Sequence, residues 1–156
     1  MRNVVLFLLV VCMVVVSGCT SSDEPVELKK SDIGEVNTLS NIHLEIVENT
    51  LTSEGLTLRI VNDSEKSLVY NGSFSIEQKV NEEWFEVEDV VGGNFAFTDE
   101  GLGTNPHESS ELSIEWDWLY GELKTGEYRL VKEVLDFRDA GDFDRHFLAV
   151  EFEILN

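Results

Sequence analysis

Four aspartates lie close together near the C-terminal end of the sequence. They are Asp136, Asp139, Asp142 and Asp144. Carboxylates crowded into one turn can bind calcium through their oxygens. The spacing does not match the Asp-x-Asp-x-Asp-Gly loop of an EF-hand, and Arg138 and Arg145 can neutralise part of the charge. The sequence therefore favours a solvated acidic loop from Asp136 to Arg145, with a calcium site at the four aspartates as the alternative.

No other residues are spaced as catalytic or metal-binding groups require. The histidines His43, His107 and His146 fall in three separate segments. The sequence has no Gly-x-Ser-x-Gly elbow, no phosphate-binding glycine loop and no His-Glu-x-x-His motif. We therefore predict a protein that is not an enzyme and needs no cofactor.

The N-terminal stretch has the pattern of a secretory signal. Arg2 precedes an apolar run of 13 residues, from Val4 to Val16. A helix of that length is too short to cross a hydrocarbon core, which needs about 20 residues. A cation, a short apolar run and the small residues Ser17 and Gly18 are typical of a signal peptide. We assign residues 1–18 to it.

The residue after this stretch is a cysteine. The sequence Val16-Ser17-Gly18-Cys19 resembles the lipobox of bacterial lipoproteins. The resemblance implies that the Cys19 thiol is lipidated with palmitate-type chains and that Cys19 is the first residue of the mature protein. It also implies attachment to the extracytoplasmic face of the cell membrane, or of the outer membrane in a double-membrane cell. The alternative is an ordinary signal that leaves Cys19 as a reactive free thiol.

The charge of the chain excludes one class of partner. It has 31 acidic and 11 basic residues, for a formal net charge of −20. Nucleic acid would repel such a chain. An anionic lipid surface would repel it too, so attachment to a membrane requires the lipid rather than a basic patch. Cys12 would leave with the signal, so no disulfide is available to stabilise the folded part.

Short stretches in which apolar and polar residues alternate predict β-strands. The inward rows are Ile42, Leu44 and Ile46; Leu56, Leu58 and Ile60; Leu112, Ile114 and Trp116; and Leu148, Val150, Phe152 and Ile154. No convincing amphipathic helix interrupts them. We predict an all-β antiparallel sandwich of seven or eight strands over residues 41–156. A polar, acidic segment over residues 19–40, which includes the lipidated cysteine, is predicted to be a flexible tether.

Three connections in this domain have a specific expectation. Asn81 and Glu82 lie between two strand patterns, and a tight type I′ turn needs positive φ at both residues, so Glu82 favours a looser loop. Thr98 to Ser110 has no periodicity and is predicted to be a loop. Asp117 to Gly121 breaks the alternation, and we expect a short irregular or 3₁₀ turn there that ends at Gly121 with positive φ.

The stretch around this turn carries a recognisable motif. Trp-x-x-x-Tyr-Gly-x-Leu-x-x-Gly-x-Tyr-Arg places Trp116, Tyr120, Gly121, Leu123, Gly126, Tyr128 and Arg129 in order. Gly126, Tyr128 and Leu130 are spaced as in the tyrosine corner of immunoglobulin-type sandwiches. The motif resembles the bacterial immunoglobulin-like domains of cell-surface lipoproteins.

The resemblance implies a lipid-anchored, extracytoplasmic, non-catalytic module of the cell envelope. We expect it to bind an envelope protein or polymer through its loops or an exposed sheet edge. The alternative function is inhibition of an extracellular protease, with the Thr98–Ser110 loop inserted into the active-site cleft.

Overall fold

The computed structural model describes residues 28–98 and 100–155, and in that part of the chain it contains nine strands and one short helix. The strands are β1 (Ile42–Ile46), β2 (Gly55–Asn62), β3 (Leu68–Tyr70), β4 (Ser75–Val80), β5 (Glu83–Glu86), β6 (Leu102–Thr104), β7 (Glu108–Glu115), β8 (Gly126–Asp139) and β9 (Asp142–Ile154). The helix α1 (Asp117–Tyr120) is a single turn. The prediction of seven or eight strands did not include β6, whose three residues are too few to show a period.

The strands form two antiparallel sheets, which confirms the predicted sandwich. One sheet has the order β1-β2-β7. In the other, β9 pairs with one side of β8 along its length, while β4 and then β3 pair with the other side. Strand β5 lies outside β4, and β6 lies outside β3. The chain thus changes sheet repeatedly, as sandwich topologies do.

The core lies between the sheets and is built from the predicted inward rows. Leu58 and Ile60 of β2 and Leu130 of β8 are fully buried. Phe152 stacks between Trp116 and Tyr128, with ring centroids 5.5 and 5.8 Å away. This stack joins the end of β7 to the strands β8 and β9, because offset aromatic pairs add to the stabilisation from burial.

The predicted acidic loop from Asp136 to Arg145 is wrong. Strand β8 continues to Asp139 and β9 starts at Asp142, so only Ala140 and Gly141 connect them. Gly141 has φ of 83°, which a tight hairpin turn requires. The sequence pattern did not reveal this β8–β9 hairpin, because its polar residues show no apolar alternation.

The predicted loose connection at Asn81 and Glu82 is also wrong. Val80 pairs with Glu83, which leaves a two-residue turn with φ of 51° at Asn81 and 65° at Glu82. Both angles are those of a type I′ turn. Lys79 forms an ion pair with Glu82 at 3.1 Å, and the pairing of β4 with β5 dictates the turn despite the cost of a left-handed glutamate.

Residues 28–40, at the end of the predicted tether, contact the domain. Lys30 forms a β-bridge with Phe85 of β5. Farther on, the Asn37 amide group forms two hydrogen bonds with the backbone of Ala149 in β9, and Leu39 is buried in the core. We call residues 28–39 the N-terminal strap, since it runs from β5 to β9. The tether prediction did not anticipate this docking.

Candidate functional site

The motif residues form the corner between β7 and β8. Trp116 is fully buried at the end of β7, and its indole Nε1–H donates to the Ser53 carbonyl at 2.8 Å. Helix α1 follows and ends at Gly121, whose φ of 71° lets the chain turn back. Leu123 then packs in the core and its amide also donates to the Ser53 carbonyl, at 2.9 Å. The two bonds to Ser53 hold the corner against the β1–β2 connection.

The hydroxyl of Tyr128 closes this corner. It donates to the Lys124 carbonyl, four residues upstream, at 2.9 Å. This is the contact that a tyrosine corner requires. Burial raises the pKa of Tyr128 above its ordinary value. Tyr128 therefore stays a neutral hydrogen-bond donor over the physiological range.

The last motif residue, Arg129, takes part in a buried ion pair. Its Nε donates to Glu77 of β4 at 2.5 Å, and both side chains are almost fully buried. The guanidinium also lies over the Trp84 ring, 4.7 Å from the centroid. Ser31 of the strap donates to the same glutamate. Since a buried charge without a partner is costly, this cluster fixes the position of the strap on β4 and β8.

Lys132, three residues farther along β8, is fully buried. Its ammonium donates to the backbone carbonyls of Asn71 and Ser73 and lies 5.4 Å from the centroid of the Tyr70 ring. Burial lowers the pKa of Lys132 to about 8. The ammonium lies under the β3–β4 connection and binds two of its backbone carbonyls, which indicates a structural role.

The structure does not bring the four aspartates together as a metal site. Asp136 is buried and forms an ion pair with Lys66. Arg138 lies between the last two carboxylates and binds Asp142 at 2.7 Å and Asp144 at 2.9 Å, while Asp139 accepts a hydrogen bond from the Ala140 amide. These hydrogen bonds hold the pKa of Asp142 below its ordinary value. Within residues 28–98 and 100–155, no group of three histidine, cysteine, aspartate or glutamate side chains is arranged to hold a metal ion.

The three histidines remain apart in the fold. His43 contacts Glu45 at 3.2 Å, His107 contacts Glu65 at 2.9 Å, and His146 contacts Thr38 at 3.3 Å. Each contact is exposed and joins one histidine to one neighbour. These pairs offer the geometry of surface polar contacts rather than of a catalytic constellation.

A half-exposed aromatic cluster lies on the other side of α1. Its members are Phe74, Phe95, Phe97, Trp118 and Tyr120, which contact one another with centroid separations from 5.2 to 6.3 Å. Trp118 keeps 45% of its surface exposed and Phe95 keeps 38%. The Trp118 indole Nε1–H donates to the Glu115 carbonyl at 2.8 Å, so its ring is held in place. Large fixed aromatics at the surface are typical of binding sites.

A groove of about 450 Å³ runs beside this cluster. One wall is formed by residues 112–115 of β7, and the other by Phe74 and by residues 96–98. Trp118 closes one end. Because β7 pairs only with β2 among the described strands, its other side is an open sheet edge along the groove. This surface combines an open strand edge with fixed aromatic rings, and we take it as the candidate binding site.

The sequence did not identify this groove. Phe95 and Phe97 lie in a stretch without apolar alternation, and Trp118 lies in the predicted turn from Asp117 to Gly121. The only signal was the density of aromatic residues in two segments without periodicity. Whether those rings are buried depends on contacts between positions about 20 residues apart, which a local pattern cannot show.

The loop proposed for protease inhibition is tied to the sheet. Within it, β6 pairs with β3, and the Thr104 hydroxyl is 2.5 Å from that of Ser110. Thr104 is buried. A segment held in this way is poorly suited to insertion into a cleft.

The lipobox-like residues Val16, Ser17, Gly18 and Cys19 lie outside the described residues, and so does the predicted signal peptide over residues 1–18. Among the residues that are described, no helix has the length and apolar character needed to cross a bilayer.

Comparison with known proteins identifies the domain. Residues 38–153 match the family model described as "Bacterial Ig-like domain". The match covers the sandwich from the end of the strap to the last strand. A search of curated proteins finds no match to this chain.

Proposed function

The chain belongs to the family of bacterial Ig-like domains, and on this basis we propose that it is a non-catalytic binding or structural module anchored outside the cell by lipid on Cys19. The observation that carries the proposal is the joint presence of the family domain and the lipobox-like sequence from Val16 to Cys19. An Ig-like sandwich offers surfaces for recognition, and the N-terminal motif would direct the protein to the membrane.

Lipid is the attachment that the charge of the chain allows. With a formal net charge of −20, the protein is repelled by anionic head groups. A single acyl chain holds a protein only reversibly, because each buried methylene contributes about 0.8 kcal/mol, whereas two or three chains make release negligible. The partner in this proposal is another envelope protein or a polymer.

Replacement of the cysteine tests the anchor. Cys19→Ser removes the thiol that would carry the lipid, and no contact of the described domain depends on that side chain. We expect the variant to fold, to lose labelling by a palmitate analogue, and to move from the membrane fraction to the soluble fraction in the absence of detergent.

Ser17→Thr is the matched control, since it changes the same motif and keeps the thiol. This variant should remain labelled and in the membrane fraction. Equal membrane retention of Cys19→Ser and the parent chain would show that something other than lipid holds the protein.

A further inference from the structure

We propose that the open edge of β7 binds an extended, lysine- or arginine-rich segment of a partner protein as an added strand, with Trp118 as its aromatic contact. The inference rests on the proposed binding function and specifies the surface and the chemistry of the partner. It uses three properties of the groove: free backbone groups, fixed aromatic rings and uncompensated negative charge.

The backbone of β7 offers hydrogen bonds toward the groove. The Trp116 amide donates to the Glu54 carbonyl at 2.8 Å, next to the Gly55–Glu115 pair. In an antiparallel ladder the residues alternate between those that bond to the neighbour and those that face away. Ile114 and Leu112 therefore bond to β2, whereas residues 111, 113 and 115 direct their amides and carbonyls to the open side.

Part of this edge is already used, and the rest is free. The Glu115 carbonyl accepts the bond from Trp118, which agrees with its outward direction. Among the described residues, Ser113 and Glu111 have no backbone partner on the open side. An added strand would supply those bonds over about 7 Å, since Glu111 and Ser113 are two residues apart and each residue of a strand advances about 3.3 Å.

The groove is shaped for side chains of such a strand. Phe74 and Phe97 line the wall opposite β7, and the exposed ring of Trp118 closes the end. An aromatic face within about 6 Å of a guanidinium or ammonium attracts it, and Trp does so most strongly. A basic side chain of the added strand would lie over Trp118, and the apolar stem of that side chain would cover Phe97.

The charges around the groove select a cationic partner. Glu115 and Asp117 are exposed, and among the described residues neither belongs to a salt bridge. No lysine or arginine lines the groove. An acidic strand would meet like charges, and a second copy of this chain carries the same charge of −20. Free edges invite unwanted pairing, and flanking charges restrict which strands can add.

A synthetic peptide tests the proposal. The probe is an eight-residue peptide of alternating lysine and valine, mixed with the full-length chain in a mild non-ionic detergent. The matched peptide has glutamate in place of lysine. Binding is followed by tryptophan fluorescence and calorimetry at 50 and 300 mM salt. We expect the lysine peptide to bind and the glutamate peptide not to bind, with affinity falling as salt rises.

Variants separate the backbone contribution from the aromatic one. Trp118→Ala should weaken binding of the lysine peptide by about tenfold or more, as loss of a central aromatic contact does. Ser113→Pro removes an outward amide and should abolish strand addition, while the ladder to β2 keeps its bonds. Phe143→Ala, at an exposed aromatic on the β8–β9 hairpin, is the control and should bind like the parent. A lysine peptide N-methylated on alternate amides tests the backbone contribution, as Ser113→Pro does, without altering the protein.

The peptide-binding results test strand addition at β7 independently of lipid attachment at Cys19. Failure of the lysine peptide to bind, equal binding of the Trp118→Ala chain, or undiminished binding of the N-methylated peptide would overturn the strand-addition site. Binding of a neutral chito-oligosaccharide at Trp118 in place of the peptide would also overturn it. None of these results depends on Cys19, whose role is decided by fractionation.

Discussion

Tyr128 is the residue whose role is most directly testable. Its ring stacks on Phe152 and its hydroxyl donates to the Lys124 carbonyl. Tyr128→Phe keeps the stack and removes one hydrogen bond, so the free energy of unfolding should fall by about 0.5–1.5 kcal/mol. Urea denaturation of the variant and the parent measures this change in the free energy of unfolding. Identical denaturation midpoints for Tyr128→Phe and the parent chain would show that the corner bond does not stabilise the domain.

Lys132 makes the free energy of unfolding depend on pH in the alkaline range. Burial lowers its pKa from 10.5 to about 8. Between pH 8 and 10.5 the unfolded chain therefore holds a proton that the folded chain has released, and stability rises with pH in that window. Below pH 8 both states are charged, and the cost of burying the ammonium is present in full.

Between pH 8 and 10.5 we expect the free energy of unfolding of the parent to rise by roughly 1–3 kcal/mol relative to that of Lys132→Met. Denaturation at several pH values measures this, with Lys124→Met as the exposed control. A difference that stays constant, or that moves in favour of Lys132→Met, would contradict the assigned shift.

At the scale of elements, the N-terminal strap acts as a partial extra strand. It bridges to β5 at Lys30, contributes Ser31 to the buried Glu77–Arg129 pair, and binds β9 through Asn37. The Asn37 side chain accepts from the Ala149 amide at 2.8 Å and donates to its carbonyl at 3.0 Å. An asparagine amide thus completes the pairing that a neighbouring strand would make, and it protects the β9 edge.

Asn37→Ala should therefore lower the free energy of unfolding by about 1–3 kcal/mol, because two hydrogen bonds are lost and alanine tolerates the positive φ at this position less well. Exchange of the Ala149 amide with solvent should accelerate. Asn94→Ala, in an exposed connection, is the control. Unchanged protection of Ala149 in Asn37→Ala would show that the strap does not cover β9.

At the scale of the whole molecule, the described arginines are all paired and acidic residues are in excess. Each described arginine belongs to an ion pair: Arg59 with Glu111, Arg129 with Glu77, Arg138 with Asp142, and Arg145 with Glu133. With 31 acidic and 11 basic residues, most carboxylates have no such partner. This excess of negative charge disfavours association with other acidic surfaces and favours basic ones.

Local patterns in the sequence determined the strands, the core rows and the corner. A strand with one face buried alternates with a period of two, so Leu56, Leu58 and Ile60 predict their own burial. The glycine and tyrosine spacing at the corner is equally local, because the Tyr128 bond spans four residues. The net charge and the lipobox-like motif are identified from the sequence without any knowledge of the fold.

The tertiary structure alone decided what lies at the surface and what is paired across long separations. The Glu77–Arg129 pair joins positions 52 residues apart, and the strap reaches Ala149 across 112 residues. The β8–β9 arm and the Asn81–Glu82 turn differed from expectation because strand pairing determined them against weak local signals. The groove beside Trp118 exists because β7 has a neighbour on one side only, and no single segment contains the information about which neighbour is missing.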